Sequence, residues 1–454
     1  MKKNARMERP AHRPAPGRRA PWIRAAALAA FCCWIAPPSA TALELSDVPI
    51  FSRVIPPPAN IMFLLDDSGS MNFDILVRGQ YDGSFPDPTR TPEQLAIDAH
   101  GFCYVFDNPG DNVYPQTSQP LWYAGPNGRK YWKSQWYKVN VLYYNPWVQY
   151  APWPSYGTVV FPNADPDFPR SHPVRNPSLT VDLQATSFSV GGVNVPLAHY
   201  FVYSAAEEAV YLVVLDRPGA AIRYYRATVS GTGLAETVTA LTPVAQPPAD
   251  IVTGRSYAAE RQNFANWFSY FRRREFVAKN AIARVIQSMA GVRMGFYGIN
   301  QRIVATLEPV MVQQGTTITD RSHVLLAKLY DYVSSGGTPL KRGLHTVGQF
   351  YKDNTGVLGG LSGPKPYDAT VPGAACQQSF TVILTDGYYS DLSYVASGVG
   401  NADGDNGHPF ADAYSGTLAD IAMHYYENDL NALPNSVPVS RYDRATHQHM
   451  ATYA

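Results

Sequence analysis

The chain has 454 residues, long enough for roughly two or three domains, and its 45% hydrophobic content is ordinary for a globular protein. Its formal net charge of +1 conceals a division: residues 1–24 hold eight of the 37 Lys and Arg and one of the 36 Asp and Glu, leaving 29 basic against 35 acidic residues beyond them. That acidic excess excludes nucleic acid as an expected partner.

The basic start runs into AAALAAFCCWIA (residues 25–36) and then Ala40-Thr41-Ala42. Charged, apolar and Ala-x-Ala segments in that order predict a secretory signal over 1–42, with Met7 as an alternative start. The apolar core is too short to span a bilayer, so no transmembrane segment is expected in the mature chain. Pro21 spoils a twin-arginine match at Arg18-Arg19, and the bulky Phe31 before Cys32 argues against a lipid anchor. Cys103 and Cys376 remain after cleavage. An oxidising envelope permits a bridge between them, and two buried free thiols are the alternative.

Residues 61–71 read IMFLLDDSGSM. Ile61–Leu65 is a short, continuously apolar run, the pattern of a buried parallel strand. Asp66, Ser68 and Ser70 follow at alternate positions in the turn beyond it. A carboxylate and two hydroxyls suit a hard divalent cation, and ligands in open α/β sheets sit beyond the carboxyl ends of strands. A plain Asp/Ser/Gly turn accounts for the same residues. Asp67 reads as a solvated turn residue outside the motif.

The next helix does not arrive until 261–289, where Phe264, Trp267, Phe268, Phe271, Ala278, Ile282, Val285, Ile286 and Met289 recur at three- and four-residue spacing. Strands are predicted at 292–299 and 302–310, and helices at 322–335 and 338–353. A Gly/Pro-rich stretch (354–373) precedes a second apolar run, FTVILTDG (380–387), ending at Asp386. A helix at about 416–430 and a strand beginning in HMATYA (449–454) close the chain. Thr338 lies in the Gly-rich SSGGTPL turn. Strand and helix alternation is what a doubly wound sheet needs.

Asp66, Ser68, Ser70, Thr338 and Asp386 in this order resemble the metal-ion-dependent adhesion site of a von Willebrand factor A domain. The resemblance implies an α/β fold of that type, formed by 43–73 and 257–454. It also implies that these five residues serve a divalent cation, Mg2+ foremost, with Mn2+ or Ca2+ as alternatives. Neutral hydroxyls leave such a cation able to accept a carboxylate from a partner.

The stretch 74–256 interrupts that fold. Its first part is rich in Pro and aromatics (LYYNPWVQYAPWPSY, 142–156). Its second part, about 179–240, holds alternating runs such as EEAVYLVVLD and AIRYYRATVS and predicts a small antiparallel β module. The aromatics form either the insertion's core or an exposed binding surface. YYNPWVQYAPW, NFANWFSYFRRR, CQQSFTVILTDGYYSD and TLADIAMHYYENDL together resemble the PilY/PilC-type proteins of type IV pili. That likeness implies secretion, a place in the periplasm or at the cell surface and pilus tip, and minor pilins as partners. It also implies pilus biogenesis and surface attachment. Those proteins usually continue into a C-terminal β-propeller with a calcium site. The chain stops before one, so it is expected to be incomplete, short of the last strand and helix of the von Willebrand fold.

NADGDNGHPFAD (401–412) offers Asn401, Asp403 and Asp405 at the first spacings of a calcium loop, but Asn406 stands where Gly is needed. A solvated turn is the plainer explanation. The sequence contains no zinc-binding His-Glu helix, nucleophile elbow or phosphate loop, so no enzymatic activity is expected.

Overall fold

The computed structural model describes residues 57–80, 83–86, 101–106, 124–353, 357–358, 361–362, 365–387, 389–404 and 411–454. The signal at 1–42 and Asp405 lie outside the described residues. Residues 56–454 pack as one compact unit.

The chain enters through strand β1 (Ala59–Leu65) and a single 3-10 turn at Gly69–Asn72. The insertion then contributes a hairpin, β2 (Thr186–Val190) and β3 (Val193–Pro196), and four further strands. These are β4 (His199–Ser204), β5 (Ala209–Asp216), β6 (Ala221–Ser230) and β7 (Thr237–Val244). The last four form an antiparallel meander in sequence order, as the alternating pattern predicts.

Helices α1 (Tyr257–Tyr270) and α2 (Arg274–Ser288) lead to β8 (Val292–Gly298) and β9 (Val304–Val310). A small hairpin, β10 (Val312–Gln314) with β11 (Thr317–Thr319), precedes α3 (Ser322–Asp331) and α4 (Leu340–Asp353). The two-residue strands β12 (Val357–Leu358) and β13 (Leu361–Ser362), then β14 (Ser379–Leu384), α5 (Leu418–Glu427) and β15 (Met450–Tyr453) complete the order.

The principal sheet runs β15-β14-β1-β8-β9. β1 is central and pairs in parallel with β14 and β8, Phe63 facing Val382 on one side and Phe296 on the other. β15 is parallel to β14, and β9 closes the other edge antiparallel to β8. Side chains on successive β1 residues point to opposite faces. Phe63 and Leu65 pack with apolar residues of α1, α2 and α3, whereas Met62 and Leu64 pack with those of α4 and α5. Helices therefore cover both faces, which is why β1 is apolar at every position from Ile61 to Leu65.

The 261–289 segment is two helices, not one. The backbone turns at Phe271, and the amide of Arg274 donates to Phe73 O at 3.1 Å instead of continuing the helix. Arg272 reaches back to Phe268 O at 2.8 Å. Buried contacts with the start of the insertion thus override an apolar periodicity that runs through the break. The helix predicted to reach residue 335 ends at Asp331 for a similar reason. Beyond it, Ser334 N bonds the Glu275 carboxylate at 2.9 Å and Ser335 N bonds Asp67 O at 2.6 Å.

The aromatics of 74–256 divide between two cores: Trp132, Phe188, Phe201 and Tyr225 form one within the stretch itself, and the others join a core shared with the helices. Tyr143 and Tyr144 meet Trp267 and Phe264 with ring centroids 5.0 Å apart in each pair, and Trp153 stacks on Tyr330 at 4.9 Å. Trp267 Nε1 donates to Leu142 O at 2.9 Å and Trp153 Nε1 to Tyr270 O at 2.8 Å, so neither buried indole is left unsatisfied. Fully buried Glu260 on α1 accepts from Tyr144 (2.8 Å), Tyr200 (3.1 Å), Thr253 (3.0 Å) and Arg255 (2.8 Å), tying the meander to the same helix.

Cys103 and Cys376 are free thiols, which corrects the expectation of a bridge. Cys103 lies beyond the carboxyl end of β1, where Asp74 N donates to its carbonyl at 3.1 Å. Cys376 sits just before β14, at the opposite end of a strand parallel to β1. Seven extended residues separate those ends by about 20 Å, whereas a disulfide needs Cα atoms within about 7 Å.

Candidate metal centre

Three loops meet at the carboxyl ends of β1 and β14. The β1 loop is folded back by its own side chain: Asp66 Oδ1 accepts from Ser68 N at 2.9 Å. Asp66 Oδ2 accepts from Thr385 Oγ1, the residue before Asp386, at 2.7 Å. Ser68 Oγ and Ser70 Oγ lie 3.0 Å apart, and Ser70 Oγ donates to Asp386 Oδ1 at 3.1 Å. Asp66 and Ser68 are each 1% exposed, so these are groups withdrawn from water.

The third loop carries Thr338. Gly69 N donates to Gly336 O at 2.9 Å, which seats this loop against the serine turn. Thr338 is half-buried, and its backbone is fixed by Ser390, whose Oγ accepts from Thr338 N at 2.8 Å. Asp391 accepts from Arg342 N at 2.9 Å and so caps the first turn of α4 beside it. Asp66, Ser68, Ser70 and Asp386 thus share one hydrogen-bonded cluster, and Thr338 stands on the adjoining loop.

Electrostatics single out Asp66. Burial, and then the neighbouring Asp386 charge, push its carboxyl up to about 6 against the lowering pull of its Ser68 and Thr385 hydrogen bonds. Two carboxylates and two hydroxyls form an all-oxygen donor set of the kind a hard divalent cation takes, and a cation there relieves the like-charge repulsion. No group of three or more His, Cys, Asp or Glu side chains suited to a metal occurs among the described residues, so hydroxyls have to complete any such site.

Asp67 corrects the sequence reading. It is fully buried, not solvated, and accepts from Asn300 N (2.7 Å), Asn300 Nδ2 (3.1 Å) and Arg302 N (2.7 Å). Asn300 Nδ2 also donates to Gly337 O at 2.7 Å, so Asp67 braces the Thr338 loop through Asn300. Burial pushes the Asp67 carboxyl up, opposed by those same hydrogen bonds.

Arg274 was not anticipated. Its Nη1 donates to Asp386 Oδ2 at 2.6 Å, with 3% of the arginine side chain and 8% of the aspartate exposed. Its Nε and Nη2 both reach Ile75 O, at 3.2 and 2.7 Å. The available signal was three consecutive arginines in an otherwise apolar helical pattern, which surface solvation does not explain. Thr385 and Asn300 carried no comparable signal.

In the acidic loop, Ala402 N and Asp403 N donate to Asp420 Oδ1 at 2.7 and 3.4 Å, and Asn401 Nδ2 donates to Asp412 O at 3.3 Å. Asp420 belongs to the capping box of α5 with Thr417. The Ala402 and Asp403 amides therefore serve the start of that helix.

The chain matches no family model and no solved structure. It is similar to curated proteins named type IV pilus biogenesis factor PilY1. For that of Pseudomonas aeruginosa strain PAK the identity is 30% over 244 residues, 44% of this chain and 19% of that protein. For strain PAO1 it is 28% over 243 residues, 43% of this chain and again 19% of the relative. For strain UCBPP-PA14 it is 26% over 186 residues, 38% of this chain and 15% of the relative. The chain spans about a fifth of the length of these relatives. Over the segment they share, this chain is a PilY1-like relative of the type IV pilus biogenesis factors.

Proposed function

We propose that the chain acts in type IV pilus biogenesis and tip adhesion, and that it binds partners through a divalent cation. In this reading the principal sheet is of the von Willebrand factor A type, with residues 43–73 and 257–454 forming it and 74–256 inserted. A central first strand and an antiparallel edge strand support that assignment. Asp66, Ser68, Ser70, Thr338 and Asp386 hold the cation, with Mg2+ favoured and Mn2+ or Ca2+ as alternatives.

The observation that carries the reading is the Ser70 to Asp386 hydrogen bond, 3.1 Å across 316 residues of sequence. It joins the two loops that a cation would bridge. The partners are minor pilins of the tip complex and a surface ligand, host or abiotic, that presents a carboxylate. The place of action is the periplasm, outer surface and pilus tip. No helix among the described residues is long and apolar enough to cross a membrane. The role is binding and assembly rather than catalysis.

The test is fractionation of sheared pili and envelopes from piliated and pilus-deficient cells, followed by an immunoblot against 261–289. Appearance in the sheared fraction only when pili are present supports the reading. Equal surface display without pili points instead to a secreted adhesin that works independently of them.

A further inference from the structure

We propose that Arg274 is a resident counter-cation of this centre and sets its divalent-cation affinity by competing for Asp386. The inference rests on the cation reading of the site and adds to it a residue outside the five-residue motif.

The geometry gives Asp386 two claims on its charge. One oxygen faces Ser70, on the side of the serine turn, and the other is held by the Arg274 guanidinium at 2.6 Å. That ion pair is almost wholly buried, so its attraction is screened little by solvent. Arg274 cannot swing away freely. Its Nε and Nη2 grip Ile75 O, its amide donates to Phe73 O, and its guanidinium carbon lies 5.0 Å from the Phe73 ring centroid.

Phe73 and Ile75 flank the point where the insertion departs, and Arg274 opens α2, one helix after the chain returns. The root of the insertion therefore aims a fixed positive charge at the acidic wall of the site. A divalent cation that approaches Ser68 and Ser70 meets that charge and must share Asp386 with it. A planar fork that spans Ile75 and Asp386 at once is an arginine property which lysine does not reproduce.

The experiment is Mn2+ binding to the whole chain, followed by electron paramagnetic resonance of the free ion, with circular dichroism to confirm folding. Wild type, Arg274→Gln, Arg274→Lys and Ser70→Ala are compared. Removing the charge in Arg274→Gln should tighten binding about tenfold. Arg274→Lys keeps the charge but loses the fork, and should tighten binding about twofold.

If Arg274→Gln does not fold, the lysine variant carries the test. Affinity equal to or weaker than wild type in the folded variant overturns the role of Arg274. In that case the cation reading survives where wild type still saturates and Ser70→Ala does not. Absence of saturable binding in both wild type and the Arg274 variants sinks the cation reading, and the role of Arg274 with it.

Discussion

Ser70 and Asp386 are 316 residues apart in sequence and 3.1 Å apart in space. This contact closes the gap between the β1 and β14 loops, and it sets the Ser70 hydroxyl between Ser68 Oγ and the Asp386 carboxylate. A ligand that binds only the folded state stabilises it, by about 2.7 kcal/mol at roughly a hundredfold excess over its dissociation constant. Mg2+ or Mn2+ should therefore raise the melting temperature of the wild type. Ser70→Ala and Asp386→Ala should each abolish that rise. An unchanged cation response in both variants would remove these residues from the site.

Asp67 is a different kind of neighbour. Its carboxylate accepts three hydrogen bonds from the turn at Asn300–Arg302, and no water reaches it. Asp67→Ala takes this acceptor from the Asn300 and Arg302 amides, and each buried unsatisfied group costs about 1–3 kcal/mol. Chemical denaturation should show a loss in that range or above it. A variant as stable as wild type would mean that the Thr338 loop does not depend on this brace.

Trp267 tests whether the insertion and the helices share one core. Its ring lies 5.0 Å from both Tyr143 and Phe264, and its indole nitrogen bonds Leu142 O. Trp267→Ala should destabilise by about 3–5 kcal/mol. It should also open residues 142–156 to limited proteolysis. Loss of stability without new cleavage there would indicate that the insertion packs independently of α1.

The two thiols give a direct chemical check. Cys103 is fully buried, while Cys376 is partly exposed. In native, unreduced protein Cys376 should react with a thiol reagent and Cys103 only after unfolding. Two unreactive cysteines that become labelled only after reduction would restore the bridge.

These outcomes trace how far local pattern reaches. β1 and β14 were legible because each carries an apolar run, Ile61–Leu65 and Val382–Leu384, that stops at a polar turn. The helix break at Phe271 was not legible. The apolar spacing continues across it, and the break is made by Phe73 and by arginine side chains buried against distant chain. Asp66, Ser68, Ser70 and Asp386 were legible as a set because their spacing sits directly after two strands. Asp67 was misread for the opposite reason: its partners, Asn300 and Arg302, are 233 and 235 residues away, and nothing in the turn itself announces them. The bridge between Cys103 and Cys376 failed because sequence counts cysteines but does not say which end of a strand each one occupies.

Asp74 supplies the pH test, because it is buried yet lies outside the candidate ligand set. It accepts from Val105 N at 2.6 Å and Phe106 N at 3.3 Å, which pins 101–106 under the β1 loop. Burial nevertheless dominates and raises its carboxyl from 3.8 to about 6, against those hydrogen bonds and the Arg272 and Arg273 charges. A raised folded-state value means that the folded protein binds this proton more tightly than the unfolded chain does. Above pH 6 the ionised group weakens the fold, and that penalty is relieved as pH falls from 6 towards 3.8. The shift corresponds to on the order of 3 kcal/mol across the whole window. Asp74→Asn does not titrate. The stability difference between wild type and Asp74→Asn should therefore move in favour of wild type as pH drops from neutral to about 4.5. Urea unfolding of both proteins at several pH values reads this difference directly. A difference that stays flat, or moves the other way, would show that the paired amides and arginines outweigh burial at this carboxylate.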